Sequence, residues 1–312
     1  MKVAVIFTGG TIGSRKQDDG WISPNTEQPY KLIDLYQTKY PLKSKDIEFV
    51  CDMPYQILSE NVRAENLMCL IERIQACIRN GDYDGILICH GTDTLQYTAA
   101  ILGYVFADSA LPILLVSSNY PLEDVRANGL DNFYYAVETV KTGLTGVLVV
   151  YRNSDGNTYV HCGTKLLAHQ TFEDDLFSVH QEAIGFYDSA GSWNLEADTR
   201  REEIKVPYHG LIETRSSILW LRAYPGMAYP NLTKKTKAVL IESYHSGTIA
   251  IDSDMKEFAE TAKRLAIPIY LTGAIDDGSG YETIREYQAL GIRVLKNQAP
   301  IAVYCRLWLE NS

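Results

Sequence analysis

The sequence predicts an α/β protein: a larger N-terminal domain with a mostly parallel sheet flanked by helices, then a smaller C-terminal α/β domain. Three observations carry this prediction. Short, unbroken apolar runs recur at Lys2–Phe7, Gly85–Cys89, Pro112–Val116 and Gly146–Tyr151, as expected of strands buried on both faces. Stretches with helical spacing separate them, which is the βαβ alternation of a parallel sheet with right-handed crossovers. A shorter series of the same kind follows residue 208.

Taken in order, Lys2–Phe7 opens the sheet, and Gly9 to Pro24 reads as a long polar loop. A loop this long beside a Gly-Thr turn marks a working segment. Ile47–Cys51 is the next strand. Leu67, Leu70, Ile71, Ile74 and Ile78 form one helical stripe, closed by Gly81. Gly85–Cys89 then runs into the turn His90-Gly91, with Thr92-Asp93-Thr94 where a helix begins and Ala99-Ala100-Ile101-Leu102 as its apolar continuation. Pro112–Val116 ends in Ser117-Ser118-Asn119-Tyr120-Pro121. A helix is expected from Leu122 to Thr142, with Asn128-Gly129 as a weak point inside it. Asp155 to Phe186 is less regular, and Asp188–Trp193 reads as a surface turn. The charged run Glu196 to Lys205 reads as part of a linker. This sets domains at 1–190 and 208–312, joined by 191–207. In the second domain Ala238–Glu242 and Pro268–Leu271 are strands, and Asp254–Leu265, Thr283–Leu290 and Pro300–Leu309 are helices.

Composition narrows the partners. The 312 residues are 46% hydrophobic and 22% charged, an ordinary globular balance, with a net charge of −10. An acidic chain without Lys/Arg clusters is not built for nucleic acid or an anionic membrane. No apolar segment approaches the roughly 20 residues that span a bilayer. Met1-Lys2 leads straight into a strand-like run, so no leader and a cytoplasmic location are expected. The six cysteines form no CxxC pair, and several sit in apolar runs, which suits a reducing compartment. Cys69 and Cys77 lack a neighbouring His pattern, so no metal site is expected.

Chemistry concentrates at two strand ends. In Thr8-Gly9-Gly10-Thr11 two glycines let the backbone approach a ligand and offer N–H groups to an oxyanion, while Thr11 becomes a nucleophile once a base takes its proton. The plain alternative is a Gly turn with Thr as a cap. A phosphate loop does not fit, because no Lys follows at Walker spacing and there is no GxGxxG. Thr92-Asp93-Thr94 likewise reads either as a capping set or as hydroxyls and a carboxylate at a site. Two such turns at the carboxyl ends of strands favour a site that closes on one small polar substrate. The tyrosines Tyr134, Tyr135 and Tyr224 read as packing. His161, His169 and His180 cluster in the irregular segment and read mainly as satisfied histidines. Asp174-Asp175 and Asp276-Asp277 read as solvated charges.

Thr8-Gly9-Gly10-Thr11-Ile12, with His90-Gly91-Thr92-Asp93-Thr94-Leu95 about eighty residues on, resembles the bacterial-type L-asparaginase/glutaminase family. Ser59-Glu60-Asn61 resembles that family's substrate-loop segment, and Ser243-Tyr244-His245-Ser246-Gly247-Thr248 resembles, more faintly, its Tyr-Gly-x-Gly turn. The resemblance implies a threonine amidohydrolase without metal or cofactor, acting on an amino acid amide. Thr11 matches the acylated nucleophile, following Gly10. Thr92 and Asp93, following Gly91, match the second threonine and the carboxylate that holds the substrate amino group. Ser59 matches the group that receives the α-carboxylate, and the carbonyl of Ser118 falls where the leaving amide would face it. Assembly as a homodimer or homotetramer is implied on the same ground.

The sequence departs from the family pattern at three positions. Trp21 falls where the family has a tyrosine beside the nucleophile, and an indole N–H donates only. An ungapped match puts Leu167 at the position of the family lysine, and Lys165 is two residues away. Glu60 places a carboxylate beside the carboxylate-binding position. The expected activity is therefore hydrolysis of L-asparagine or a related side-chain amide. The alternative is a catalytically weak protein of the same fold that binds an amino acid as a sensor.

Overall fold

The computed structural model describes residues 1–16, 19–24, 30–196, 204–275 and 281–312. The chain divides into a unit of Met1–Thr214 and a unit of Arg215–Ser312.

The first unit begins with β1 (Lys2–Phe7), a two-stranded hairpin of β2 (Ser14–Lys16) and β3 (Ile22–Pro24), α1 (Lys31–Lys39) and the single-turn α2 (Pro41–Ser44). It continues through β4 (Glu48–Asp52), α3 (Ala64–Asn80), β5 (Gly85–Cys89), α4 (Leu95–Val105), β6 (Pro112–Val116), α5 (Gly129–Val140) and β7 (Gly146–Arg152). Three more strands, β8 (Thr158–Cys162), β9 (Gly185–Tyr187) and β10 (Trp193–Leu195), complete a sheet in the order β10-β9-β8-β7-β6-β5-β1-β4. The five strands from β7 to β4 are parallel, and β8 to β10 form an antiparallel meander on β7. Every residue of β5 and β6 is buried, as their unbroken apolar runs require. Gly81 ends α3 at φ 67°, a left-handed position that glycine adopts without strain.

Two expectations are corrected. The helix after β6 starts at Gly129, not Leu122. Asn119 and Asn128 hold each other by reciprocal bonds, each backbone N–H donating to the other's Oδ1 at 3.0 Å. That closes 119–128 as a loop, and the Gly129 N–H goes to Ser118 Oγ instead of a helical carbonyl. The crossovers are also not all of one hand. Leu32 and Tyr36 of α1 pack with Phe133 and Val137 of α5 over Val5, Leu87, Val116 and Val150. α4 lies on the other face, where Thr98 meets His90 and the Gly163 backbone lies between Ala99 and Val147. α4 and α5 both carry the chain the same way along the sheet, yet on opposite faces. β6–α5–β7 is thus opposite in hand to β5–α4–β6, against the near-universal right-handed rule.

The second unit is a four-stranded parallel sheet, β11 (Ile218–Arg222), β12 (Ala238–Glu242), β13 (Ile269–Ala274) and β14 (Ile292–Lys296), in that order. Its helices are α6 (Ser253–Arg264), α7 (Thr283–Ala289) and α8 (Pro300–Glu310). Asp252 caps α6 by accepting the Met255 N–H at 2.9 Å. Sequence pattern missed β11 and β14, and it missed the meander β8 to β10. The expected long loop 9–24 contains the hairpin β2–β3. Gln17, Asp18, the linker stretch 197–203 and Asp276-Asp277 lie outside the described residues.

Two histidines are buried and neutral. His90 Nδ1 donates to Gly91 O at 2.8 Å, which leaves Nε2 to accept from Thr98 Oγ1 at 2.9 Å. His161 Nδ1 pairs with Ser178 Oγ at 2.9 Å. Burial pushes both imidazoles down to about 4. Between pH 6.5 and 4 the unfolded chain therefore binds more protons than the folded one, and stability falls as pH falls through that window. Each shift corresponds to about 3 kcal/mol. Urea midpoints of the whole chain should decline steeply between pH 6.5 and 4.5, and His161→Gln should remove about half of that slope. A flat profile would contradict the buried neutral state.

Candidate active site

β1 has β4 on one side and β5 on the other, so the strand order reverses there and the carboxyl ends of β1 and β5 frame a crevice. Thr8 ties the two ends together: its N–H and its Oγ1 both donate to Cys89 O, at 3.0 and 2.9 Å. The loop after β4 joins them, with the Ile57 N–H donating to Thr8 O at 3.1 Å and the Gly10 N–H donating to Ile57 O at 2.8 Å.

Glycines let these loops approach one another closely. Gly10 has φ 76°, and a Cβ on it would lie 2.2 Å from Gly91 Cα and 2.3 Å from Gly91 N. A Cβ on Gly91 would lie 2.5 Å from Ser59 Oγ. The Gly10 and Gly91 turns therefore meet backbone to backbone, the Ser59 side chain packs on the Gly91 backbone, and only residues without a Cβ allow it. Thr11 leaves this contact as the first residue of a 3₁₀ turn, Thr11–Gly13, braced by Ser14 Oγ donating to Gly10 O at 2.7 Å. Thr92 and Asp93 leave it towards α4. Thr11 and Thr92 are half-buried, and Asp93 is exposed. The capping alternative for the polar triplet is not what the geometry shows at Thr94, whose Oγ1 donates to Ser59 O at 2.9 Å. That bond fixes the 3₁₀ turn Ser59–Asn61 against the start of α4. Ser59 is buried, and Glu60 beside it is exposed.

The remaining expected residues lie on three other segments of the unit. Ser118 is fully buried, and its hydroxyl is engaged in the loop, donating to Tyr120 O at 2.5 Å and accepting the Gly129 N–H at 3.2 Å. Lys165 is exposed at the start of a hairpin in which its carbonyl accepts the Val179 N–H at 2.9 Å. Leu167 is half-buried in the same hairpin, its N–H donating to Phe177 O at 2.9 Å. Trp21, at the turn between β2 and β3, is 76% exposed.

Sequence reasoning missed the groups that hold these loops. His90 reads as part of a turn, yet its ring bridges Gly91 O and Thr98 and so locks the peptide before Thr92. The available signal was a polar residue directly after a fully buried strand. Asn132 gave no signal of its own; it donates to Ser117 O and accepts the Arg152 N–H, joining the ends of β6 and β7. Among the described residues no group of three His, Cys, Asp or Glu could hold a metal ion. The crevice instead offers half-buried hydroxyls, glycine backbone and exposed carboxylates, a donor set for a small polar organic substrate.

Gly10→Ala should be far more damaging than its one carbon suggests. The left-handed φ and the overlap with Gly91 together cost about 3 kcal/mol or more. Thermal unfolding of the variant should show a Tm lowered by about 6 °C or more, and Gly13→Ala, where a Cβ meets open space, should not.

Residues 2–199 match the family described as Asparaginase, N-terminal. Among curated proteins, a glutamyl-tRNA(Gln) amidotransferase subunit from Pyrococcus abyssi is 25% identical over 98% of this chain and 71% of its own. The subunit of the same name from Methanobrevibacter smithii is 28% identical, with the same coverages. In fold, the chain is similar to L-asparaginase I from Vibrio cholerae, with a TM-score of 0.78 at 18% identity over 100% of this chain and 93% of that one. It is also similar to the thermostable L-asparaginase from Thermococcus kodakarensis, with a TM-score of 0.76 at 21% identity over 99% and 92%. With a match across more than half its length, and the glycine-bridged crevice at its centre, the chain belongs to the asparaginase family.

Proposed function

We propose that this member of the asparaginase-fold amidohydrolases hydrolyses L-asparagine, or a related side-chain amide, through a threonyl acyl-enzyme. The observation that carries this reading is the contact of Gly10, Gly91 and Ser59, which supports a single site shared by Thr11, Thr92, Asp93 and Ser59. Thr11 Oγ attacks the amide carbon, and backbone N–H groups of the Gly10 turn receive the oxyanion. Collapse of the tetrahedral adduct forms the Thr11 ester and breaks the C–N bond, and the proton lost by the Thr11 hydroxyl goes to the departing nitrogen, which leaves as ammonia. Water then attacks the ester and restores the hydroxyl. Asp93 and Glu60 suit the substrate ammonium, Ser59 its carboxylate, and Trp21 the cover. The carbonyl of Ser118 faces the leaving amide. Lys165 takes the proton from Thr92 and so activates it. The cytoplasm and a homodimeric or homotetrameric assembly belong to the same proposal. The relatives named as amidotransferase subunits put glutamine on the panel of amides.

A second reading is an amino-acid binder of low activity. The exposure of Lys165 and Trp21 favours it, because a base and a cover work best where water is excluded.

Ammonia release from asparagine, glutamine and blocked amides separates the two. Thr11→Ala should lower kcat/KM by about 10³-fold or more, and Lys165→Ala should lower kcat by about 10- to 100-fold. Release that survives Thr11→Ala refutes the mechanism. Binding of an amino acid without release from any amide supports the binder.

A further inference from the structure

We infer that the segment Lys205–Thr214, which leads into the second unit, is a strap that positions the substrate-binding turn Ser59–Asn61. The kinetic part of this inference rests on the amidohydrolase reading; the mechanical part does not.

The strap is bonded at intervals along the helices that flank the site. Lys205 Nζ meets Asp108 Oδ2 at 2.6 Å, beyond the end of α4. The Val206 N–H donates to Tyr104 O at 3.1 Å, and the Val206 side chain is buried. The chain then runs against α3 in the opposite direction. Burial, and after it the Glu72 charge, pushes the Tyr208 phenol up, the Ile212 N–H donates to Met68 Sδ at 3.2 Å, and Thr214 Oγ1 donates to Glu65 Oε1 at 3.1 Å. Glu65, Met68 and Glu72 lie at helical spacing on one stripe of α3. Ile212 is 0% exposed between exposed neighbours, Leu211 and Glu213, so it is a buried anchor in an otherwise solvated run.

This stripe ends at the first turn of α3, and the turn leads directly to Ser59. The Arg63 N–H donates to Asn66 Oδ1 at 3.0 Å, and the Val62 N–H donates to Ser59 O at 3.1 Å. The same Ser59 carbonyl accepts from Thr94, and the Ser59 side chain lies on Gly91. The strap therefore holds one end of a bonded path whose other end is the Thr92 turn. A helix start is where fraying begins. With Ile212 and Thr214 bonded there, the Ser59 turn is presented ready for the substrate and need not be ordered by it. Ile212 and Thr214 are positioning residues, acting through α3 and not on the reacting atoms.

Hydrogen exchange of the full chain and steady-state kinetics test this together. Ile212→Ala and Thr214→Val should speed amide exchange across 59–67 by about tenfold while β5 and β6 exchange at the parental rate. KM for the best amide should rise about fivefold with kcat held within about twofold, the signature of lost ground-state positioning. Leu211→Ala, at an exposed neighbour, should change neither. Parental exchange across 59–67 in both variants overturns the strap, as does faster exchange with KM unchanged. If the parent releases ammonia from no amide yet 59–67 loosens in the variants, the mechanical path stands and the amidohydrolase reading falls. Thr214→Val, at an exposed residue, keeps the test alive should Ile212→Ala not fold.

Discussion

The absence of two β-carbons, at Gly10 and Gly91, is the constraint on which the rest of the first unit depends. A Cβ at Gly10 would fall 2.2 Å from Gly91 Cα, well inside van der Waals contact. Because neither residue has one, the turns after β1 and β5 touch directly, and the Thr8 hydroxyl closes the seam by donating to Cys89 O. Thr11 follows the first of these glycines and Thr92 the second, so the one contact sets where both residues begin. A crevice at a reversal of strand order is common in open sheets. Here main chain closes its base, where the Gly10 turn meets Gly91.

That closure brings buried polar groups with it, and each must be paired. His90 spends both ring nitrogens on the loop, one on Gly91 O and one on Thr98. Ser59 O takes the Thr94 hydroxyl. Asn119, Asn128 and Asn132 serve the ends of β6 and β7 in the same way. These bonds hold the loops to the rigid strand ends, so the half-buried threonines stand on fixed supports. The His90 ring is neutral for the same reason that it is useful: it is out of water and needs one donor and one acceptor nitrogen.

Much of the fold was legible because buried parallel strands leave long apolar runs. β1, β5, β6, β7 and β12 could be read almost to the residue, and α3 announced itself by its stripe and Gly81. β8 to β10 were illegible because they are short and polar residues such as Thr158 and His161 break their apolar runs. β14, Ile-Arg-Val-Leu-Lys, hides for the same reason between two helices. The start of α5 was misread because Leu122 to Asn128 has helical composition, while the Asn119–Asn128 pair that overrides it joins residues nine apart. For the candidate site, the glycines and threonines are visible as turns, but strand order decides which turns meet, and no local pattern carries strand order. Spacing likewise leaves Lys165 and Leu167 to compete for one position, since both lie in one irregular hairpin.

The opposite-handed crossover has a consequence for how the scaffold can be altered. After β6 the chain passes through the run 117–128 before α5 joins α1 on its face of the sheet. A deletion there would break the Asn119–Asn128 pair and the bond from the Gly129 N–H to Ser118 Oγ that set the start of α5, so this loop has little slack. The hairpin tip at Gly20-Trp21 bridges only two short adjacent strands and has no such duty. Natural variants of this architecture should therefore differ in size at that tip long before they differ between Ser117 and Asn128.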